Sequence, residues 1–567
     1  MADYIIVGGG TTGLLLANRL SSDPSISVLI IDPGPDDRKN PSVTSIVNWQ
    51  RNQGTSIDWA YPTTSQSGTA DRSLTYRAGK IVGGTSMING MAYIRADAAA
   101  IDAWEALGAE GWNWNAMWPY YKAVEHLDLP TDWQIEAGAA YKAEYHGESG
   151  SLHVGYPLGL ANKTTHASVA KTWEKLLIST KADANGGNVA GFTVRPMTID
   201  RDAGVRESAA KAFYYPIESR KNLRLVRGTV SRLRFSEAFE ENRSVCAVEY
   251  IDSEGQARTA GITLRGEIVM AAGSLRTPQI LEASGIGDPK LLSSLGIKLE
   301  IDLPGVGKNL QDQPNISLSY QAKQASSGLT TYATFATAAD VFEGKLSQIE
   351  RCSAANISAW AQIIVSAGGG VNTDAVEKIL RIQHELMFRD GTSVAELVTS
   401  ISGDRLSSSI WPLLPFSRGS VHLRSIREEH QDSPVIDPQL FAINFDMEYH
   451  VSAAKIAKTF WATEPIKENV LRAVSPSVYD LSPDATESEW VAFVQKNAIP
   501  NYHPVGTAAM MSKELGGVVN PQLQVYGTSN VRVVDASVIP LQTNGHLVST
   551  LYALAERASQ MILTRRS

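Results

Sequence analysis

Three observations predict an α/β fold of more than one domain. The chain has 567 residues, and a single hydrophobic core stops growing at about 250–300 residues. It opens on a short apolar strand, a glycine-rich turn, a helical run and a second strand. The stretch from about Leu310 to Pro500 then shows helix-like and alternating patterns, with no phosphate motif and no internal repeat.

The opening unit is the most specific of these. Tyr4–Val7 is β-branched and apolar, as a buried parallel strand requires. It runs into Gly8-Gly-Gly10-Thr11-Thr12-Gly13, which fits GxGxxG, and Leu14–Leu20 continues with helical composition. Ser25–Ile31 reads as the second strand and ends at Asp32, nineteen residues after Gly13. Gly8 permits the tight turn, Gly10 lets backbone approach a pyrophosphate, and Gly13 lets helix pack close to strand. Thr11 and Thr12 stand at the helix entry, where free amides and the dipole favour phosphate. Asp32 is placed to accept hydrogen bonds from a ribose. The unit predicts dinucleotide binding but does not choose between FAD and NAD.

Composition narrows the partners. Hydrophobic residues make up 43% and charged residues 19%, and the net charge of −8 argues against nucleic acid. No apolar run approaches the roughly 20 residues that span a bilayer. The first strand begins so early that no signal peptide fits before it. The expected location is cytoplasmic, or extracellular if a leader has been removed. Cys246 and Cys352 form no CxxC motif, and a single disulfide between them stays open. No HExxH or similar spacing suggests a metal. His146, His153, His422 and His430 lie in polar stretches and need no function.

Two further segments bear on the cofactor. Gly79–Tyr93 contains Gly83-Gly84-Thr85-Ser86 and Asn89-Gly90, and its Met87, Ile88, Met91, Ala92 and Tyr93 mark a segment plunging inward. Gly273–Gly287 follows the apolar strand Ile268–Ala272; Thr277-Pro278 starts a helix that Ser284-Gly285 ends. These two stretches resemble the signature motifs of the glucose–methanol–choline (GMC) oxidoreductase family. The likeness continues through Pro304–Asp312 and Val533–Ser537, so that it covers essentially the whole chain. Within the family, the chain is most similar to fungal flavin-dependent glucose dehydrogenases and related alcohol oxidases, including the aryl-alcohol oxidase type.

The resemblance implies FAD and a Rossmann-like FAD-binding domain made of residues 1–155, 200–309 and 505–567. Interleaved with it would be a substrate domain, 156–199 and 310–504, built on an antiparallel sheet flanked by helices. Gly83, Gly84, Thr85, Asn89 and Gly90 would line the flavin, with Met91 and Ala92 beside them and Val230 on the adenine side. Asp535 and Ala536 would approach the diphosphate or ribityl chain, and His546, Leu547 and Val548 would complete the cofactor contacts. The chain departs from the pattern in three places. Asp32 replaces a usual Glu, Gln313 a frequent His to which no role is assigned, and Ile88 the His that carries FAD covalently in some members. Non-covalent FAD is therefore expected.

His503 and His546, 43 residues apart on either side of the strand Val531–Val534, match the family's two active-site positions. Hydride leaves an alcohol carbon readily only as its hydroxyl loses a proton, and a nearby imidazole can take that proton. His503 is the expected base, His546 the group that steadies the alkoxide, and Asn501 an extra donor; the hydride goes to the flavin.

On the substrate side, Trp411 belongs to a segment resembling the family's substrate-domain strand, and Tyr502 lies beside the base. In alignment with the glucose-specific relatives, Ile499, Ser409 and Trp49 stand where those enzymes have Arg, Glu and Tyr. A sugar pocket must pair many hydroxyls, and each unpaired one costs about 1–3 kcal/mol. The expectation is a non-sugar alcohol (aromatic, furan-like or cyclic) of fungal secondary metabolism, with oxygen or another electron acceptor. Rival readings are a sugar dehydrogenase, a nicotinamide-dependent dehydrogenase, a non-enzymatic flavin-binding protein, and a family fold turned to lyase or isomerase chemistry.

Overall fold

The computed structural model describes residues 1–566 apart from 238–241, 427–432, 478–479 and 483. Two six-stranded sheets organise the molecule, and the chain passes between them repeatedly. In chain order, β1 (Ala2–Val7) and β2 (Val28–Asp32) lie in the first sheet and β3 (Gly191–Val194) in the second. β4 (Leu223–Phe235), β5 (Val245–Asp252) and β6 (Ala257–Met270) return to the first. β7 (Pro314–Ser326), β8 (Tyr332–Thr337), β9 (Ser393–Pro412), β10 (Val470–Ser475) and β11 (Ile499–Pro500) build the second, and β12 (Val531–Val533) closes the first. The helices that matter for the site are α1 (Thr11–Leu20), α2 (Thr277–Ala283), α3 (Asn444–Ala462) and α4 (Leu547–Arg566).

The first sheet has a parallel core in the order β4-β2-β1-β6-β12. Its strands read as continuous apolar runs because both faces are covered; Ile5, Ile6, Ile30 and Val269 are wholly buried. α1 and α4 pack against each other on one face. β4 and β6 outrun this core, and β5 pairs antiparallel with both. The predicted second strand starts at Val28 rather than Ser25. The preceding residues turn instead, because Ser27 donates its amide and hydroxyl to the Asp3 carboxylate at 2.9 and 2.7 Å.

The second sheet is antiparallel, in the order β10-β7-β9-β8-β3, with β11 on the start of β7. β9 alternates along its last turn of sequence. Leu406, Ser408 and Ile410 are fully buried, and Ser408 Oγ accepts from Trp461 Nε1 of α3 at 2.9 Å. Ser407, Ser409 and Trp411 point the other way, into a cavity between the sheets. The α/β class predicted from the opening unit is the observed one, with the second sheet supplying the opposite wall of the site.

Cys246 and Cys352 are both free and exposed, so the disulfide left open by the sequence is not formed. No helix among the described residues is long and apolar enough to cross a membrane.

Candidate active site

A continuous cavity of about 1140 Å³ runs between the two sheets, larger than the roughly 300–1,000 Å³ of a pocket for one small molecule. The residues singled out from the sequence line it, except Gly13 and Gly83, which lie behind its wall. Gly8, Gly10, Thr11, Thr12, Asp32 and Val230 mark one end. Gly84, Thr85, Asn89, Gly90, Met91, Ala92, Asp535, Ala536, His546, Leu547 and Val548 lie along it, and His503, Asn501, Tyr502, Trp49, Ser409, Trp411 and Ile499 mark the other end.

The geometry of the first end is that of a diphosphate cradle. Gly8 has φ +108°, and a Cβ there would sit 2.5 Å from Ala271 O. A Cβ on Gly13 would lie 2.0 Å from Gly8 O, so helix meets strand only as glycine. Gly10 differs: a Cβ there would meet nothing nearer than Gly84 Cα at 3.9 Å, leaving its outer side open to a ligand. α1 has no side-chain cap and no acid in its first turn, so its leading amides remain available to an anion. Gly84, at φ +55°, backs onto Gly10 with room for no side chain. The two glycine loops thus form one surface.

Asp32 is more engaged than its predicted role required. Its carboxylate accepts from the amides of Gly9 and Gly34, both at 2.8 Å, and burial raises its pKa to about 6. It also lines the cavity. Asp535 spends its carboxylate on the protein: Oδ2 accepts from Gly273 N and Thr277 Oγ1 at 2.9 and 2.6 Å, and Oδ1 from Ser537. It fastens the loop before α2 to the end of β12. Asn89 Oδ1 accepts from Met91 N and from Arg206, a buried cation that the sequence reading missed. Burial pulls the Arg206 guanidinium down to about 9. Leu547 and Val548 begin α4, which brings the positive end of that helix to the cavity wall.

At the other end of the cavity, the His503 and His546 rings lie 5.6 Å apart, centre to centre, nearly perpendicular at 83°. Both are held from the second sheet, His503 from the segment entering β7 and His546 from β9. The His503 amide donates to Asp312 Oδ1 at 3.0 Å, and the Gln542 side chain caps its carbonyl. His546 Nε2 meets Glu396 Oε1 at 3.0 Å, and Trp411 stands edge-on to its ring at 6.2 Å. The loop before His546 is pinned by Asn544, whose side-chain oxygen accepts from the Asp97 amide.

Gln313, to which no role was assigned, fixes the state of His503. Its Nε2 donates to the carbonyls of Leu413 (3.1 Å) and Thr543 (3.4 Å), which turns Oε1 toward His503 Nδ1 at 2.9 Å. An amide oxygen only accepts, so Nδ1 carries the ring proton and Nε2 the lone pair. Asn501 Nδ2 lies 3.3 Å from the same Oε1 and 3.1 Å from Nδ1. Burial, reinforced by the neighbouring His546, lowers the His503 pKa to about 3. The ring is neutral at physiological pH, with Nε2 having no protein partner among the described residues. Such an atom can take a proton from a hydroxyl placed against it.

The remaining histidines among the described residues have structural partners or lie at the surface. His146, in a polar stretch of sequence, is satisfied by burial rather than by solvent: it lies between Glu125 and Asp183, and Arg95 pairs with the same Glu125. Its neighbours in sequence are polar, but its partners come from 21 and 37 residues away, which no local pattern shows. His153 is half-exposed beside Asp128 and His126; these three bring ligand-type atoms within 4.8 Å of one another. His422 Nδ1 bonds Glu282 at 2.6 Å, and His430 lies outside the described residues. Of the site residues missed, Glu396 carried a signal: a lone acid in the apolar run Val394–Val398 must find a partner. Gln313 carried none.

A glycine cradle shaped for a dinucleotide, opening onto two imidazoles in one cavity, defines a flavin-type oxidoreductase architecture. Comparison with known proteins agrees. Family profiles described as GMC oxidoreductase match residues 2–315 and 415–555. A glucose oxidase-like protein, fsoC, of Humicola fuscoatra is 46% identical over 99% of this chain and 95% of its own length. Glucose oxidase of Aspergillus carbonarius is 34% identical over 99% and 92%. An FAD-dependent oxidoreductase from Chaetomium thermophilum superposes with a TM-score of 0.89 at 27% identity, covering 100% of both chains. The chain belongs to the GMC oxidoreductase family, FAD-dependent enzymes that act on CH–OH donors. The cradle fits FAD: the open side of Gly10 and the uncapped α1 terminus would take its diphosphate, and Asp32 its ribose.

Proposed function

We propose that this enzyme oxidises a non-sugar alcohol, aromatic, furan-like or cyclic, at the junction where His503 and His546 meet. FAD, when bound, supplies the two-electron acceptor. His503 Nε2 takes the hydroxyl proton, Gln313 holds the ring, Asn501 is an extra donor toward the substrate, and His546, oriented by Glu396, steadies the developing alkoxide. Residues 1–155, 200–309 and 505–567 serve FAD, and 156–199 with 310–504 serve the substrate. Ile88 offers no atom for a covalent link, so FAD is held non-covalently.

The observation that carries the substrate reading is an apolar wall of the same cavity. Trp49 packs with Ile46, Met91, Met197, Ile199 and Leu329 in one apolar cluster, and Trp49, Met91, Met197 and Leu329 line the cavity. Ile499 stands at the same end, 42% exposed, and Ser409 bonds only Ser317 at 3.1 Å. A flat apolar ring gains from this surface by burial, whereas sugar hydroxyls turned against it would find no partner there. The names of the relatives, glucose oxidase and glucose oxidase-like, support the second reading, an enzyme acting on a sugar. Turnover of a panel of benzylic, allylic and cyclic alcohols beside glucose separates the two. The proposal expects glucose to be the slowest, and fastest turnover with glucose overturns it.

A further inference from the structure

At the end of the apolar wall, the cavity is lined by a cation whose Nε and Nη1 find no protein partner. Arg195 follows the end of β3, and its amide donates to the carbonyl of Thr331 at 2.9 Å. Its side chain lines the cavity. Nε and Nη1 are both buried and have no hydrogen-bond partner, and no ion pair to Arg195 occurs among the described residues. Thr331, its cross-strand neighbour, also lines the cavity, and its buried Oγ1 is likewise unpartnered. The nearest acid acting on Arg195 is Glu396, but that carboxylate is committed to His546. Arg195 is therefore one residue removed from the catalytic pair.

A guanidinium presents five N–H donors and cannot shed its charge. Burying it without a counter-charge is costly, and proteins keep such groups where a ligand supplies the missing oxygens. In sequence, Arg195 is two residues from Met197, so the apolar wall ends at this fork.

We propose that Arg195, with Thr331, forms an oxyanion subsite, and that the alcohol oxidised here bears a carboxylate set away from its CH–OH carbon. This rests on the alcohol-oxidising reading of the same cavity and adds the substrate's second functional group. The fork engages both carboxylate oxygens, Thr331 donates to one of them, and the apolar body lies against Trp49 and Met197. The CH–OH end is left at His503.

The test uses the FAD-loaded enzyme and a matched set of probes. 4-Methylbenzoate, which has no hydroxyl to oxidise, and its amide are titrated while the flavin visible spectrum and the heat of binding are followed. Saturable binding of the carboxylate, much tighter than of the amide, is expected. Arg195→Met should weaken the carboxylate about a hundredfold and the amide hardly at all. Arg195→Lys should restore part of the loss, and an unchanged flavin spectrum and melting temperature report that each variant is folded. No saturable carboxylate binding, equal binding of the amide, or equal losses for both in Arg195→Met overturns the proposal. Anaerobic flavin reduction by 4-(hydroxymethyl)benzoate and its methyl ester separates the two levels. If the ester reduces the flavin and the acid does not, the subsite is wrong and the alcohol reading stands. If no alcohol reduces it, the alcohol reading itself fails.

Discussion

His503 shows how one side chain is set by several others. Its neutral form follows from burial, its tautomer from Gln313, and its backbone position from Asp312. With a pKa near 3 rather than the 6.5 of a free imidazole, kcat/KM should show no acid limb near pH 6.5. Gln313→Leu removes the acceptor that holds the Nδ1 proton, and we expect flavin reduction about 10–100-fold slower with FAD fully retained. Gln313→Glu keeps an acceptor and adds a negative charge, so activity should recover in part while an acid limb moves toward neutrality. A Leu variant with wild-type reduction rates would remove Gln313 from the account. Some of this was legible in the sequence and some was not. His503 sits in a local motif, whereas Gln313 reaches it from the segment entering β7, and Glu396 reaches His546 from β9, placements that a single chain does not display. Arg195 was equally invisible, because only the cavity shows that nothing answers its charge.

The opening β-α-β unit was read almost whole, since each of its features is local: an apolar run, glycines at fixed spacing and an acid at the next strand's end. Its glycines act by contact. Gly13→Ala would place a methyl group against Gly8 O, which forces α1 away from β1 at a cost of about 1–3 kcal/mol. A lower melting temperature and loss of FAD on gel filtration are expected, and an unchanged melt with full flavin content would contradict this. The long β9 and the hairpin of β4 with β5 were not legible, for their strands bend and change partners along their length. Alternation marks a strand's faces but not which neighbour lies beside it.

For the molecule as a whole, the two sheets are built from alternating stretches of chain, and the residues between them do the joining. The buried set Arg95, Glu125, His146 and Asp183 ties together four segments distant in sequence. Burial alone would lower the His146 pKa, but hydrogen bonds to Asp183 and Glu125 carry it up to about 9. The unfolded value is 6.5, so this stabilisation is complete below about pH 6.5 and is lost as pH rises through 9. The melting temperature should fall between those values, and His146→Gln should melt lower at pH 6 with a flatter profile. Parallel profiles for the two proteins would show that His146 does not carry the effect. The interleaving itself could be anticipated only by family resemblance, because nothing in a strand's composition tells which sheet it will join.

The central claim is that His503 takes the proton as an alcohol gives up its hydride. Anaerobic mixing of the FAD-loaded enzyme with a benzylic or cyclic alcohol, followed at the flavin absorbance, tests it most directly. Wild-type flavin should bleach in a concentration-dependent way, and His503→Ala should do so about 10²–10⁴-fold more slowly with its FAD still in place. Bleaching of His503→Ala at the wild-type rate would contradict the account.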